Sequence, residues 1–109
     1  MKRGDIVTVS APGDYGKPRP AVVVQSDLFN ETHASITICP LTSQLIGAPL
    51  FRIAAEPGPG RGIRQPSQVM VDKVMSIPRE RVAKIAGRMP ETVLQRVDEA
   101  LRLWLGLRL

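Results

Sequence analysis

A short segment in which two prolines enclose an arginine leads into a run of three valines, and it constrains the fold more than any other part of the sequence. Pro18 and Pro20 each fix φ at about −65° and favour extended backbone in the preceding residue, so Arg19 is held extended. The β-branched run Val22–Val24 favours a strand buried on both faces. The Arg19 guanidinium therefore lies at a rigid strand entrance, either as a fixed anion-binding group or as a charge that solvates the sheet end.

The remainder of the chain alternates short β-branched segments with turns rich in proline and glycine. Besides the strand through Val22–Val24, the pattern predicts a short helical turn that begins at Ser26 and several further strands. The further strands are predicted at Asp5–Val9, Ser35–Leu41, Leu50–Ala54, Ser67–Ile77 and Val82–Gly87.

The segment from Pro90 to Leu107 has the pattern of a helix, with Gly106 suited to its end. Its apolar stripe consists of Val93, Val97, Ala100, Leu101 and Trp104, widened by Leu94, Leu103, Leu105 and Leu107. The helix either packs on the sheet with all of this stripe or presents a second apolar edge to a partner. The order of elements predicts a mainly β fold with a C-terminal helix (α+β), in a single domain over residues 1–109.

The composition favours an anionic partner in a reducing compartment. Lys and Arg number 15 against 10 Asp and Glu, and the resulting net charge of +5 attracts anions. The single cysteine, Cys39, excludes an intramolecular disulfide and suits the cytosol, so a cytoplasmic location is expected. Cys39 is predicted to be a small buried residue rather than a catalytic thiol paired with His33. No apolar run is long enough to span a membrane.

The sequence offers little for metal or cofactor chemistry. One histidine and one cysteine make no ordinary zinc site, and no glycine-rich phosphate loop opens a helix, so no cofactor is expected. The remaining groups are arginines, hydroxyls and at most one carboxylate. Cleavage of RNA suits them, because the substrate supplies its own nucleophile, the 2′-hydroxyl.

Four short motifs follow one another along the chain before the C-terminal helix. They are Arg3-Gly4-Asp5-Ile6-Val7, Arg19-Pro20-Ala21-Val22-Val23-Val24, Pro40-Leu41-Thr42-Ser43 and the segment from Pro66 to Ile77. In order and spacing they resemble the MazF/PemK toxins of type II toxin–antitoxin systems, which are sequence-specific bacterial endoribonucleases. The resemblance covers nearly the whole chain.

This resemblance implies an SH3-like barrel of the CcdB/MazF type, a homodimer, and a groove that binds single-stranded RNA. It implies metal-independent cleavage to 2′,3′-cyclic phosphate and 5′-hydroxyl ends. The catalytic positions of the family fall on Arg19, which would stabilise the phosphorane charge, and on Thr42, which would position the phosphate. Ser43 is a possible auxiliary residue beside Thr42. The partner implied is an acidic, partly disordered antitoxin.

One position departs from the PemK pattern. Some members place an arginine and an aspartate two residues apart on a later strand as acid and base, and here Met70 stands where the arginine would be. Asp72 matches the aspartate and is a possible auxiliary catalytic residue. Alternatively, it is a polar strand residue paired with Lys73 or Arg64.

Three further residues are predicted to contact RNA. Lys17 and Arg64 are expected to bind backbone phosphates, although each is equally compatible with a solvated surface charge. Tyr15 is expected to stack on a base, or to pack within its own loop.

Two other functions compete with the nuclease. CcdB-like toxins share the fold and poison DNA gyrase without hydrolysis, through a tryptophan followed by a glycine near the C-terminus. Here Leu105 separates Trp104 from Gly106. An inactive homologue that only binds its antitoxin is the third alternative. The presence of both Arg19 and Thr42 favours the nuclease.

Overall fold

The computed structural model describes residues 1–10 and 17–108. Within these residues, the strands are β1 (Asp5–Val9), β2 (Arg19–Val23), β3 (Ser35–Thr42), β4 (Arg52–Ala55), β5 (Ser67–Met70), β6 (Met75–Pro78) and β7 (Val82–Arg88). The helices are α1 (Asp27–Asn30) and α2 (Glu91–Leu105), and two 3-10 turns cover Val71–Lys73 and Arg79–Arg81. The mainly β fold with a C-terminal helix is therefore confirmed.

All registered strand pairs are antiparallel, in the order β4–β5–β3–β2–β1–β7, and β6 also pairs with β3. Along its outer edge, β3 pairs first with β6 through Ser35–Ile38 and then with β5 through Leu41–Thr42. Pro40 lies between the residues of β3 that pair with β6 and those that pair with β5. The N–H that proline lacks therefore interrupts no registered pair on that edge. This explains why β3 continues through Pro40 and makes Thr42 its last residue, one beyond the predicted end.

The central strands bury side chains on both faces, as predicted for Val22–Val24. Ile6 and Val22 join the apolar cluster that includes Leu94 and Val97 of α2. Val7 and Val23 join a second cluster on the opposite face. Because both faces are buried, the strand entrance at Arg19 is anchored to a doubly covered part of the sheet.

Two predicted strands have different bounds in the structure. The strand predicted at Leu50–Ala54 begins only at Arg52, because the N–H groups of Phe51 and Arg52 both donate to the Ala48 carbonyl and form a turn. The strand predicted over Ser67–Ile77 is divided into β5 and β6 by the 3-10 turn Val71–Lys73, which the Val74 N–H closes on the Val71 carbonyl at 3.1 Å.

Helix α2 begins after Pro90 and ends at Leu105, two residues before the predicted end, because Gly106 adopts a left-handed φ of 68° and caps it. The middle of the helix is buried through Leu94, Val97 and Ala100. Its C-terminal turn is not: Leu103, Trp104, Leu105 and the following Leu107 are all about half exposed. The helix therefore packs on the sheet with the middle of its apolar stripe and leaves an uncovered apolar end that includes Trp104.

The loop between β4 and β5 is docked on β7 through glycines. The Gly60 carbonyl accepts a hydrogen bond from the Arg88 N–H at 2.9 Å. At Gly87, a Cβ would lie 2.2 Å from the Arg61 carbonyl carbon, and at Gly62, which has a φ of +72°, a Cβ would lie 2.7 Å from the Ala86 oxygen. Backbone therefore meets backbone at this contact, which only glycine permits.

Among residues 1–10 and 17–108, no helix combines the length and apolar character needed to cross a membrane.

Candidate active site

Arg19 and Thr42 lie at the ends of two neighbouring strands and share one cavity. The register of β2 with β3 pairs Ala21 with Pro40, and this register, continued by two residues, would bring Arg19 opposite Thr42. Both residues line a cavity of about 300 Å³, called here the Arg19 cavity. The rest of its described wall is apolar and consists of Val9, Ile38, Pro40, Leu41, Met70, Met75 and Ile77. The two residues predicted to be catalytic are thus brought together by strand register.

The Thr42 hydroxyl is oriented by the chain that follows it. Its Oγ1 accepts a hydrogen bond from the Gln44 N–H at 3.1 Å, as in an ST turn. Because this bond occupies an acceptor position of the oxygen, the hydroxyl proton remains to be donated to another group. Thr42 is half-buried, whereas Arg19 is exposed, so both groups are accessible to an anion in the cavity.

Gln68 fixes the same loop, and sequence reasoning missed it. It is the register partner of Thr42 on β5. Its side-chain amide pairs with the backbone of Ile46 in both directions: Oε1 accepts from the Ile46 N–H at 3.1 Å, and Nε2 donates to the Ile46 carbonyl at 2.8 Å. The segment after Thr42 is therefore held at two points, Gln44 and Ile46. No local motif indicates this contact, because it depends on the long-range pairing of β3 with β5.

The other predicted site residues do not line the described wall of the Arg19 cavity. Ser43 follows Thr42 and is exposed, and Lys17 is exposed two residues before Arg19. Arg64 lines a different cavity, on the far side of the same strand ends. Tyr15 lies outside the residues that the structure describes.

Asp72 is held by Arg52 and not by either predicted partner. Arg52 Nε and a terminal nitrogen donate to the two carboxylate oxygens at 2.8 and 3.1 Å, and both side chains are largely buried. The prediction of a pair with Lys73 or Arg64 was wrong, because Asp72 lies in the 3-10 turn and not on a strand. The turn points it towards β4, where Arg52 is the register partner of Met70. Asp72 stays a predicted auxiliary residue, yet its carboxylate is already engaged outside the cavity.

The hydrogen bonds between Arg52 and Asp72 shift the pKa values of both side chains. The Arg52 guanidinium lowers the pKa of Asp72 below its ordinary value, and the carboxylate raises the pKa of Arg52. Because Asp72 has a lower pKa in the folded than in the unfolded chain, the pair stabilises the fold fully above the unfolded pKa of about 4. That stabilisation is lost as the pH falls through the folded pKa.

We predict that Asp72→Asn lowers the free energy of unfolding by about 2 kcal/mol at pH 7, since it removes a bidentate, charge-assisted contact. The difference from the unsubstituted protein should shrink as the pH falls below about 4 towards the lowered pKa of folded Asp72. Urea unfolding at pH 7 and pH 3 measures both effects, with the exposed Glu80→Gln as control. An equal loss at the two pH values would show that the ion pair is not the cause.

Cys39 is the small buried residue that was predicted. It is fully buried, and burial raises the pKa of its thiol to about 12. A thiol that stays protonated at neutral pH is a poor nucleophile, so Cys39 acts in packing.

A mainly β fold with one C-terminal helix, together with an arginine and a threonine that share a cavity at two strand ends, fits the class of small β-rich toxins that the sequence resembles. Residues 2–105 match the family described as PemK-like, MazF-like toxin of type II toxin–antitoxin system. The chain belongs to this family.

Individual relatives agree with this assignment. The chain is 45% identical over 108 residues to the "Probable endoribonuclease MazF" of Mycolicibacterium smegmatis, with 98% of each protein covered. It is 31% identical over 116 residues to "Endoribonuclease MazF9" of Mycobacterium tuberculosis, again with 98% of each covered.

Solved structures confirm the SH3-like, CcdB/MazF-type fold. The structure of MazE–MazF from Deinococcus radiodurans (Form-II) matches with a TM-score of 0.81 at 27% identity, over 99% of this chain and 97% of that one. The Mycobacterium tuberculosis toxin MazF-mt6 matches with a TM-score of 0.82 at 19% identity, over 96% and 99% respectively, which shows the fold alone. The comparisons do not favour the CcdB-like gyrase poison.

Proposed function

We propose that the protein is the toxin of a type II toxin–antitoxin system and acts as a metal-independent, sequence-specific endoribonuclease on single-stranded RNA. The observation that carries this proposal is the shared cavity of about 300 Å³, in which Arg19 and Thr42 come together from adjacent strands. Relatives that cover nearly the whole chain are named endoribonucleases, which supports the same activity.

In the proposed reaction, the 2′-oxygen of RNA attacks the adjacent phosphorus while the bond from phosphorus to the 5′-oxygen breaks. The products are a 2′,3′-cyclic phosphate and a 5′-hydroxyl. Negative charge develops on the non-bridging oxygens, where the planar Arg19 guanidinium can donate two parallel hydrogen bonds. The Thr42 hydroxyl, whose oxygen already accepts from the Gln44 N–H, donates a hydrogen bond to one of the same oxygens and fixes the phosphate in line.

Two proton transfers complete the reaction. Arg19 can donate a proton to the departing 5′-oxygen and recover one from solvent, but a guanidinium that is protonated before the reaction cannot serve as the base. No carboxylate or imidazole belongs to the described wall of the Arg19 cavity. The group that accepts the 2′-hydroxyl proton therefore lies outside the described residues of this cavity wall.

We propose that the protein is a single-domain, cytoplasmic homodimer and that an acidic antitoxin inhibits it. Exposed leucines at the end of α2 (Leu103, Leu105 and Leu107) and Leu50 in the loop before β4 offer apolar area for association. The net charge of +5 complements an acidic, partly disordered segment. The Deinococcus radiodurans relative was crystallised as a MazE–MazF complex, which supports an antitoxin as the partner.

Purified protein incubated with a long RNA of mixed sequence in EDTA tests the proposal. We expect cleavage at a restricted set of sequences, with 2′,3′-cyclic phosphate and 5′-hydroxyl ends. Intact RNA together with gyrase inhibition would support the CcdB-like alternative. Intact RNA together with binding of the antitoxin encoded beside it would indicate an inactive homologue.

A further inference from the structure

A second cavity lies behind the Arg19 cavity, on the opposite face of the same strand ends. Neighbouring residues of a strand point to opposite faces, so Thr8, Pro20 and Leu41 face away from their neighbours Val9, Arg19 and Thr42. Thr8, Pro20 and Leu41 line a cavity of about 450 Å³, called here the basic pocket. Leu41 borders both cavities, so the two sites adjoin at this residue.

The wall of the basic pocket combines cationic and apolar groups. Arg64 and Lys84 contribute two positive charges, and no Asp or Glu belongs to its described lining. Pro20 and Ile63 supply flat apolar surface, and Gln65 supplies an amide that can both donate and accept hydrogen bonds. A ligand that matches this wall has a negatively charged group beside a planar, partly apolar group with hydrogen-bonding edges. A nucleotide has this chemistry, and the volume lies in the range of small-ligand sites.

The wall that carries Arg64 is fixed and not a loose loop. Gly62 and Gly87 bring the loop between β4 and β5 into backbone contact with β7, the strand that carries Lys84. Ile63, between Gly62 and Arg64, is buried in the main apolar cluster. The backbone positions that carry the two cations are therefore held by elements in direct contact, which limits the cost of ordering the pocket when a ligand enters.

We propose that the basic pocket binds a nucleotide of the RNA next to the scissile phosphate, and that it thereby contributes to sequence choice. This inference rests on the proposed function. RNA gripped at its phosphate by Arg19 and Thr42 is placed beside Leu41, so a flanking nucleotide turned across the strand ends enters the basic pocket. Arg64 and Lys84 bind its phosphate, while Pro20 and Gln65 contact its base. Lys84 is a residue that the sequence motifs did not single out.

The test uses Arg64→Gln, Lys84→Gln and the double variant, all at exposed positions whose substitution leaves the core intact. The exposed Lys73→Gln, outside the described lining of both cavities, is the matched control for loss of one positive charge. Affinity for a single-stranded RNA made non-cleavable by 2′-O-methyl groups is measured over a range of salt concentrations. The double variant should lose affinity, and its plot of log affinity against log salt should become shallower by about 0.7 in slope, since each neutralised phosphate of a single strand contributes about 0.7.

Cleavage of a random RNA library by the same proteins measures sequence choice. The double variant should show a weaker base preference at one position flanking the cut, and the control variant should keep the full preference. If the salt slope and cleavage pattern of the double variant match those of the control variant, the pocket assignment is overturned, while the proposed nuclease activity stands. Weaker binding of an acidic antitoxin peptide, with RNA binding unchanged, would overturn it in favour of a protein site. If the unsubstituted protein cleaves no RNA, the proposed function itself fails.

Discussion

Replacing Arg19 with alanine is expected to reduce RNA cleavage at saturating substrate by about 10²-fold to 10³-fold or more. The variant loses the charged donors that face developing charge on the phosphate, and such losses typically have this size. The fold should persist, because Arg19 is exposed and its removal opens no apolar core. Single-turnover cleavage, with thermal unfolding in parallel, separates the chemical effect from a loss of structure.

Two further variants sharpen this comparison. Arg19→Lys keeps the charge but lacks the planar fork, so it should recover only part of the rate. Arg102→Ala removes an exposed arginine from α2 and should leave the rate unchanged. A rate for Arg19→Ala close to that of Arg102→Ala would place the active centre elsewhere in the molecule.

Gly87→Ala is expected to lower the free energy of unfolding by about 3 kcal/mol, the upper part of the range for overpacked positions. The added Cβ would lie 2.2 Å from the Arg61 carbonyl carbon, a backbone atom that can move only if the loop is displaced. For a domain of this size the Tm should fall by about 10 °C or more. Thermal and urea unfolding measure the change.

Gly47→Ala is the matched control, because a Cβ there meets no atom within 4 Å and its φ is not left-handed. It should alter the free energy of unfolding by no more than about 0.5 kcal/mol. Equal stability of the two variants would contradict the close contact of the loop with β7, and would also remove the rigid wall on which the basic pocket depends.

The parts of the fold that the sequence predicts well are those set by local pattern. Val22–Val24 indicated a doubly buried strand, and the spacing of Val93 and Val97 indicated α2; the structure confirms both. Arg19 was predicted to begin a strand because its flanking prolines restrict the backbone directly, and β2 does begin there. Each of these features depends on residues that are close in sequence.

The features that the sequence did not predict depend on residues that are distant in sequence. The 3-10 turn between β5 and β6 follows from β3 exchanging one outer partner for the other, which no window of the sequence reveals. The pairing of Asp72 with Arg52 joins residues 20 positions apart, and the contact of Gln68 with Ile46 joins residues 22 apart. The candidate site was therefore predicted in its two central residues but not in the groups that hold the surrounding loop.

The uncovered end of α2 gives the protein an internal optical probe. Its single tryptophan, Trp104, is 48% exposed, and its ring centroid lies 5.4 Å from that of Phe51. Indole emission shifts to shorter wavelength when water is excluded, so a partner that covers this end of the helix would produce a blue shift. RNA entering the Arg19 cavity, whose described wall does not include Trp104, would leave the spectrum largely unchanged. Fluorescence of the unlabelled protein can thus distinguish association through the helix from occupation of the cavity.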